Sequence, residues 1–293
     1  MGKKKKSKKT AGWTGDVADL LRVGPDFDLA SFDRGGTPGW DGDKTSAAAF
    51  MRKRGDELSD LQERLFADGK SDGTHSVLLL LQGIDTAGKG GIVRHVIGMV
   101  DPQGVALASF GVPTAEEASH HHLWRIRKQL PPPGKIGVFD RSHYEQVLVV
   151  KVDELEPPDV NATRYDELVD FDHEIVSGGT TLIKVAMMVS HAEQGERLKE
   201  RLERPDKWWK YNPGDIDVRE RWDDYQAAYS EMLTRTSTEE APWYVIPADR
   251  KWYARLAVTE LLYGALTDLD LAWPEADFDP KVELERLAET SRA

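Results

Sequence analysis

Cysteine is absent from the 293-residue chain, which excludes disulfide bridges, thiolate metal sites and a cysteine nucleophile, and is compatible with a reducing compartment. Long apolar runs are missing too. None approaches the roughly 20 residues that a membrane helix requires, and the basic start "MGKKKKSKKT" lacks the apolar core of a secretory signal. A soluble, cytoplasmic protein is expected. Positive charge is in deficit: 39 Lys and Arg stand against 51 Asp and Glu, a formal net charge of -12. The chain as a whole therefore repels nucleic acid and other long polyanions, and any polyanion must meet a local basic groove. The Lys run has no apolar partners and reads as a solvated tail. Lys6 stands where a myristoylation pattern wants Ser or Thr. Internal repeats are also absent.

What is present is enough apolar residue, 40% of the chain, to fill the core of one large α/β domain or two small ones. Residues 1–44 are rich in Gly, Asp and Lys without sustained periodicity and read as a mobile, basic and polar N-terminal arm, free to wrap the body or a partner subunit. Then "TSAAAFMRKRGDELSDLQERLFADGK" sets Ala49, Met51, Leu58, Leu61 and Leu65 near helical spacing. Five apolar runs follow, "SVLLLLQ", "VALASF", "KIGVFD", "TLIKVAMMVS" and "WYVIPA", with helix-like segments between them. Near-continuous apolar strands alternating with helices imply an α/β fold whose parallel sheet is covered on both faces. Residues 45–293 are read as one domain, with charged helices around a Pro, Trp and Gly-containing connection inserted at about 191–235. That insertion is expected to form a lid over the carboxyl ends of the strands, where ligands bind in such sheets.

From Gly83 to Lys89, "GIDTAGK" fits the G-x-x-x-x-G-K spacing, after a strand and before a helix. The backbone through Gly83, Ala87, Gly88, Gly90 and Gly91 is expected to bind phosphate. Lys89 supplies a point charge, and Arg94 lies about one turn further along the helix. Two features depart from the common loop: Gly90 follows Lys89 where Ser or Thr usually holds magnesium, and the loop carries an acid, Asp85. A carboxylate among phosphates needs a positive partner. Asp140, ending "KIGVFD", is the second acid at a strand end, so Asp85 and Asp140 together can replace the missing hydroxyl as metal ligands. Arg141 follows directly and is placed to neutralise charge on a transferring group. Arg125, Arg127 and Lys128 in "HHLWRIRKQL" are further candidates for an anion track, or simply a solvated helix face.

Together "GIDTAGKGG", "GVFDRSHYE", "EQGERLKERLERPDKWWK" and "DDYQAAYSEMLTRTSTEEAPWYVIPADRKWY" resemble the polyphosphate kinase 2 family over roughly residues 50 to 268. That resemblance implies a P-loop three-layer α/β/α sandwich with a mainly parallel five-stranded sheet and a helical lid, similar to thymidylate kinase. It implies reversible, magnesium-dependent phosphoryl transfer between inorganic polyphosphate and AMP or ADP, giving ADP or ATP, with manganese as a possible substitute metal. By position it assigns catalytic roles to Asp85, Lys89, Asp140 and Arg141, metal binding to Asp85 and Asp140, and lid roles to Arg197 and Arg201. "RSHYE" and the lid are similar to the branch accepting both mono- and diphosphates, whereas Asp140, where that branch often has Asn, is closer to the diphosphate branch. Both acceptors are expected. The expected partners are polyphosphate and these nucleotides, neither nucleic acid nor membrane, and further copies of the chain in a dimer or tetramer.

Other features are not promoted. Adjacent residues on a helix point about 100° apart, so "HHH" at 120–122, read as helical, does not converge on one ion. Trp208, Trp209 and Trp222 read as packing before base stacking. His173 and Glu174 lack the second His of a zinc-protease helix, and Ser142 and His143 are adjacent rather than convergent. Two rival functions share the same residues: an ATP-dependent nucleoside monophosphate kinase, and a non-catalytic nucleotide- or polyphosphate-binding protein.

Overall fold

The computed structural model describes residues 11–290; the N-terminal Lys run falls outside them. The expected strands are all present: β1 (Ser76–Gln82), β2 (Val105–Ser109), β3 (Ile136–Asp140), β4 (Thr180–Met188) and β5 (Trp243–Pro247). They form one five-stranded sheet in the order β2-β3-β1-β4-β5, and every adjacent pair is parallel. Every residue of β1 is buried, which suits the central strand of a sheet covered on both faces. Burying each of its Leu side chains contributes about 1.5–3 kcal/mol.

The Lys251–Asp268 helix packs on β4 and β5 and carries the Lys44–Asp68 helix outside it. The Pro158–Ser177 and Trp222–Thr236 helices pack together, the former against β4. Asp43 and Ser46 close the start of the Lys44–Asp68 helix as a capping box. Its buried stripe runs through Ala47, Leu58, Gln62 and Leu65. Ala49, expected on that stripe, is exposed, because the stripe enters the helix at Ala47 instead.

Of the two placements open to the N-terminal arm, residues 11–43 take the one against the body and are packed there rather than loose, with Val17, Leu21, Leu29 and Trp40 buried. Trp13 meets Trp40 edge-on with ring centroids 5.5 Å apart, and the Val23 amide donates to the Trp243 carbonyl at 2.8 Å. The anchors are single residues several positions apart, so they leave no periodic trace in the sequence.

The insertion between β4 and β5 holds the His191–Glu203 helix, a 3-10 turn at Pro205–Lys210, and the Gly214–Glu220 and Trp222–Thr236 helices. Tyr225, Ala228, Tyr229, Met232 and Leu233 of the last helix are buried in the core, leaving the earlier elements to cover the strand ends. Among the described residues no helix is long and apolar enough to cross a membrane.

Candidate active site

Because all five strands run the same way, the loops after β1, β3, β4 and β5 emerge on one edge of the sheet. There a crevice of about 770 Å³ is lined by the Asp85–Arg94 stretch, Asp140, Arg141, Arg197, Arg201 and cations of other elements. The strand register makes this juxtaposition unavoidable: Leu81 of β1 pairs with Asp140 of β3, and the Arg141 amide donates to the Leu81 carbonyl at 3.1 Å. The two acids therefore share one crevice.

The glycine loop is shaped by close approach. Gly83 (φ 156°) and Gly88 (φ 117°) both adopt positive φ, and a Cβ on Gly83 would lie 2.8 Å from the Met187 carbonyl oxygen. No other residue type fits at Gly83. Gly88 then caps the Lys89–His95 helix, whose first turn faces the crevice with its amide groups and the positive end of its dipole. At Gly90, by contrast, an added Cβ meets nothing within 4 Å. The missing hydroxyl is thus not forced by crowding; the space belongs to the crevice.

Lys89 is buried and its Nζ donates to the Gly83 carbonyl at 2.5 Å. Burial pushes its ammonium below the usual lysine value, with Asp85 opposing the shift, so an arriving anion gains a poorly solvated cation. Arg141 Nη2 donates to Asp85 Oδ1 at 3.0 Å and Oδ2 at 3.3 Å. Burial works against the Arg141 charge, but Glu145 and Asp85 outweigh it and the net direction is upward. Arg141 and Thr86 are both left-handed, at φ 66° and 70°, a costly conformation that persists where the surrounding fold imposes it.

Sequence reasoning missed Glu145. It is partly buried, and desolvation raises its pKa while Arg141 and Lys89 pull the other way. With its amide oriented to satisfy both neighbours, Gln82 donates to Glu145 Oε1 at 2.9 Å and accepts from Ser142 Oγ at 2.9 Å. The available signal was its place five residues after Asp140 in "DRSHYE". Asp215 was missed as well: burial, and then the nearby Asp85, raise its pKa.

Behind the site, Lys184 Nζ donates to Asp172 Oδ2 at 2.6 Å and to the Thr236 carbonyl at 2.7 Å. Tyr144 Oη donates to the same carboxylate oxygen at 2.6 Å, and His143 Nε2 lies 3.3 Å from Asp172 Oδ1. Ser142 and His143 are thus buried struts for the turn that carries Arg141 and Glu145.

The two lid arginines differ. Arg197 is buried, and its guanidinium donates to four carbonyls, those of Thr86 (2.9 Å), Ala87 (3.0 Å), Ala248 (2.6 Å) and Asp249 (3.0 Å). It clamps the glycine loop. Arg201 donates instead to Asp215 Oδ2 and the Lys210 carbonyl, both at 3.1 Å, and lines the crevice.

Arg94 lines the crevice as expected, whereas Arg125, Arg127 and Lys128 do not. Their helix is only Trp124–Arg127, and each cation is engaged locally. Arg125 donates to the Gly111 carbonyl, Arg127 pairs with Glu174, and Lys128 sits 3.4 Å from the Trp124 ring centroid. The remaining cations of the rim are Lys207 and Lys210 from the lid and Lys251 and Arg255 from the Lys251–Asp268 helix. Trp208, Trp209 and Trp222 do not line the crevice.

Asp85 and Asp140 offer oxygen donors of the kind that suit a hard divalent cation, with Glu145 close to Asp85. The arrangement presents a backbone cradle, buried and rim cations from separate elements, and carboxylates for a metal. Such a site can hold two anionic groups and transfer a phosphoryl group by positioning and electrostatics alone.

Comparison with known proteins agrees with this geometry. The family model described as Polyphosphate kinase 2 matches residues 42–272. The chain is 42% identical to the AMP/ADP-polyphosphate phosphotransferase of Meiothermus ruber over 258 residues, covering 87% of this chain and 95% of the relative. It is 38% identical to the ADP-polyphosphate phosphotransferase of Rhodopseudomonas palustris, over 77% of this chain and 81% of that protein. The crystal structure of polyphosphate kinase 2 from Arthrobacter aurescens TC1 superposes with a TM-score of 0.93 at 48% identity, covering 95% of this chain and 98% of that one. With the family model spanning most of its length and the loop, acids and sheet in place, the chain belongs to the polyphosphate kinase 2 family.

Proposed function

We propose that the protein transfers a phosphoryl group between inorganic polyphosphate and AMP or ADP, reversibly and with Mg²⁺. The observation that carries this reading is the crevice itself. Its cradle and acids are flanked by cations from the loop helix, the lid and the Lys251–Asp268 helix, in a chain whose net charge is -12. Concentrating cations there suits two polyanions that must approach each other.

In this reading Asp85 and Asp140 hold Mg²⁺, which when bound supplies charge neutralisation across the reacting phosphates. The glycine loop and Lys89 bind the phosphate that moves. Arg141 leaves Asp85 to take up charge on the transferring group, and Arg201 and the lid lysines close over the chain. One phosphoanhydride bond breaks as another forms, so no covalent enzyme intermediate is needed and the equilibrium is readily reversed. Lid closure keeps water from acting as the acceptor.

The rival reading, an ATP-dependent nucleoside monophosphate kinase, uses the same loop with a different donor. Supplying polyphosphate, Mg²⁺ and each of AMP, ADP, GMP and GDP without ATP separates the two. Formation of ADP from AMP and ATP from ADP is the expected result. No product with any acceptor under conditions where ATP and AMP do react would overturn the proposal.

A further inference from the structure

The three histidines at 120–122 are not on a helix. The Ala115–Ala118 helix ends at Ser119 and the next begins at Trp124, so residues 119–123 form a turn in which adjacent side chains are free to converge. His120 leaves the group by stacking on Trp124, with ring centroids 4.0 Å apart and an interplanar angle of 11°. His121 and His122 stay together, ring centroids 4.3 Å apart, and both face Glu167 of the Pro158–Ser177 helix. His122 Nε2 is 2.7 Å from Glu167 Oε2, and His121 Nε2 is 3.6 Å from the same oxygen.

One ligand atom from each of the three residues lies within 4.8 Å of the others. In a tetrahedral site with metal–ligand bonds near 2.1 Å, ligand atoms sit about 3.4 Å apart, so only small side-chain adjustments separate this cluster from a coordination sphere. The His122 side chain is 6% exposed, and its Nδ1 has no partner among the described residues. Only Nε2 is presented. Thr163 Oγ1 donates to the other carboxylate oxygen, Glu167 Oε1, at 3.3 Å and helps orient it.

Among the described residues Arg164 is the one cation that competes, since its Nη1 donates to Glu167 Oε2 at 2.8 Å. Its charge is already matched by Glu156, to which Nε and Nη2 donate at 3.1 Å and 3.0 Å. Glu167 therefore keeps negative charge to offer. Two imidazoles and one carboxylate select a borderline transition ion such as Zn²⁺ over a hard one such as Mg²⁺.

We propose that His121, His122 and Glu167 form a Zn²⁺-type site, separate from the phosphate crevice, that ties the turn before the Trp124–Arg127 helix to the Pro158–Ser177 helix. The tie bears on the crevice indirectly. Arg125 of the short helix donates to the carbonyl of Gly111 at 2.9 Å, and Gly111 lines the crevice.

The test is a Zn²⁺ titration by calorimetry of untagged, metal-stripped full-length protein in saturating Mg²⁺, which occupies the carboxylates of the crevice. Co²⁺ titration, followed by its visible absorption, reports the coordination. One equivalent of Zn²⁺ is expected to bind and to raise the melting temperature. His121→Ala and Glu167→Gln should each weaken that binding by roughly tenfold or more, while His120→Ala leaves it unchanged. His121 is largely exposed (61%), so its removal does not endanger folding. Absence of a Zn²⁺ equivalent, wild-type affinity in His121→Ala, or binding abolished by Asp85→Asn but not by His121→Ala would each overturn the proposal.

Discussion

The Arg141 guanidinium grips both carboxylate oxygens of Asp85, at 3.0 Å and 3.3 Å, across the mouth of the phosphate crevice. Both side chains are about a third exposed, 36% and 30%, so the pair is worth at most about 1 kcal/mol to stability. Its consequence is electrostatic: each group holds the other's place until a phosphate and a cation arrive. Asp85→Asn frees the arginine and removes one of the two carboxylates proposed to hold Mg²⁺. Turnover should fall by roughly a hundred- to a thousandfold, with an unchanged melting temperature and a KM for polyphosphate that is equal or lower. Steady-state kinetics at several Mg²⁺ concentrations check this, and retention of full turnover would remove Asp85 from the mechanism.

Arg141 itself is held at φ 66°, where a non-glycine residue costs about 1–2 kcal/mol. Arg141→Gly relieves that cost and discards the cation. A variant that melts at the wild-type temperature or above while losing transfer would separate function from folding at one position. Denaturation and product assays on the same preparation measure both, and a variant that is active or that unfolds early argues against the assignment.

Much of this site is legible in the sequence because its parts are local. The run "SVLLLLQ" followed by "GIDTAGK" states both the strand and the turn, and "FDR" places an acid and an arginine at a strand end. What is not legible depends on topology. Lys251 and Arg255 reach the crevice only because their helix follows β5, and Glu145 comes near Asp85, Lys89 and Arg141 through the 3-10 turn after β3. The same dependence on topology left Arg125, Arg127 and Lys128 open between an anion track and a helix face; the helix that forms has only four residues and the three lie outside the crevice. Residues 11–43 escaped for a different reason: their anchors are too sparse to register as a pattern.

Gly90 offers a test of why the loop lacks a hydroxyl. A methyl group there meets no protein atom within 4 Å, and replacing a helical glycine by alanine contributes about 0.5–1 kcal/mol to stability. Gly90→Ala should therefore melt slightly higher yet bind phosphate substrates more weakly, since the added carbon projects into the space they need. Thermal melts and KM for polyphosphate check the two halves. An unchanged KM would mean that this part of the loop does not touch the substrate.

Arg197 and Arg201 occupy the same helix one turn apart but should fail in different ways. Arg197→Met strands four carbonyls that its guanidinium now satisfies, and each unsatisfied buried acceptor costs about 1–3 kcal/mol. A fall of several degrees in melting temperature with impaired phosphate binding is expected. Arg201→Ala takes the cation from the buried Asp215 (5% exposed), whose carboxyl pKa is already raised and can answer by taking up a proton, so a smaller fall in melting temperature than for Arg197→Met is expected while turnover drops. Equal destabilisation by the two substitutions would contradict the division between loop clamp and substrate contact.

The buried cluster behind the crevice predicts how stability depends on pH. Burial pushes the His143 imidazole below its ordinary 6.5, with Asp172 opposing and Lys184 reinforcing the shift. Below pH 6.5 the unfolded chain thus takes up a proton that the folded chain refuses, down to the lowered native value. Stability is lost as pH falls through that window, at a slope of no more than about 1.4 kcal/mol per pH unit for this group. Asp172 acts lower. Burial raises its carboxyl, but Lys184 and His143 more than offset that and hold it below 3.8, so its contribution is present above 3.8 and disappears only in stronger acid. His143→Gln removes the titration while retaining a donor for Asp172. In urea titrations from about pH 8 to about pH 5, the stability difference between wild type and variant should shrink as pH falls. A difference independent of pH would mean that His143 is protonated alike in both states. Because Arg141 lies two residues before His143 on the same turn, transfer activity should be lost along with this strut, which links the buried charges to the reacting end of the molecule.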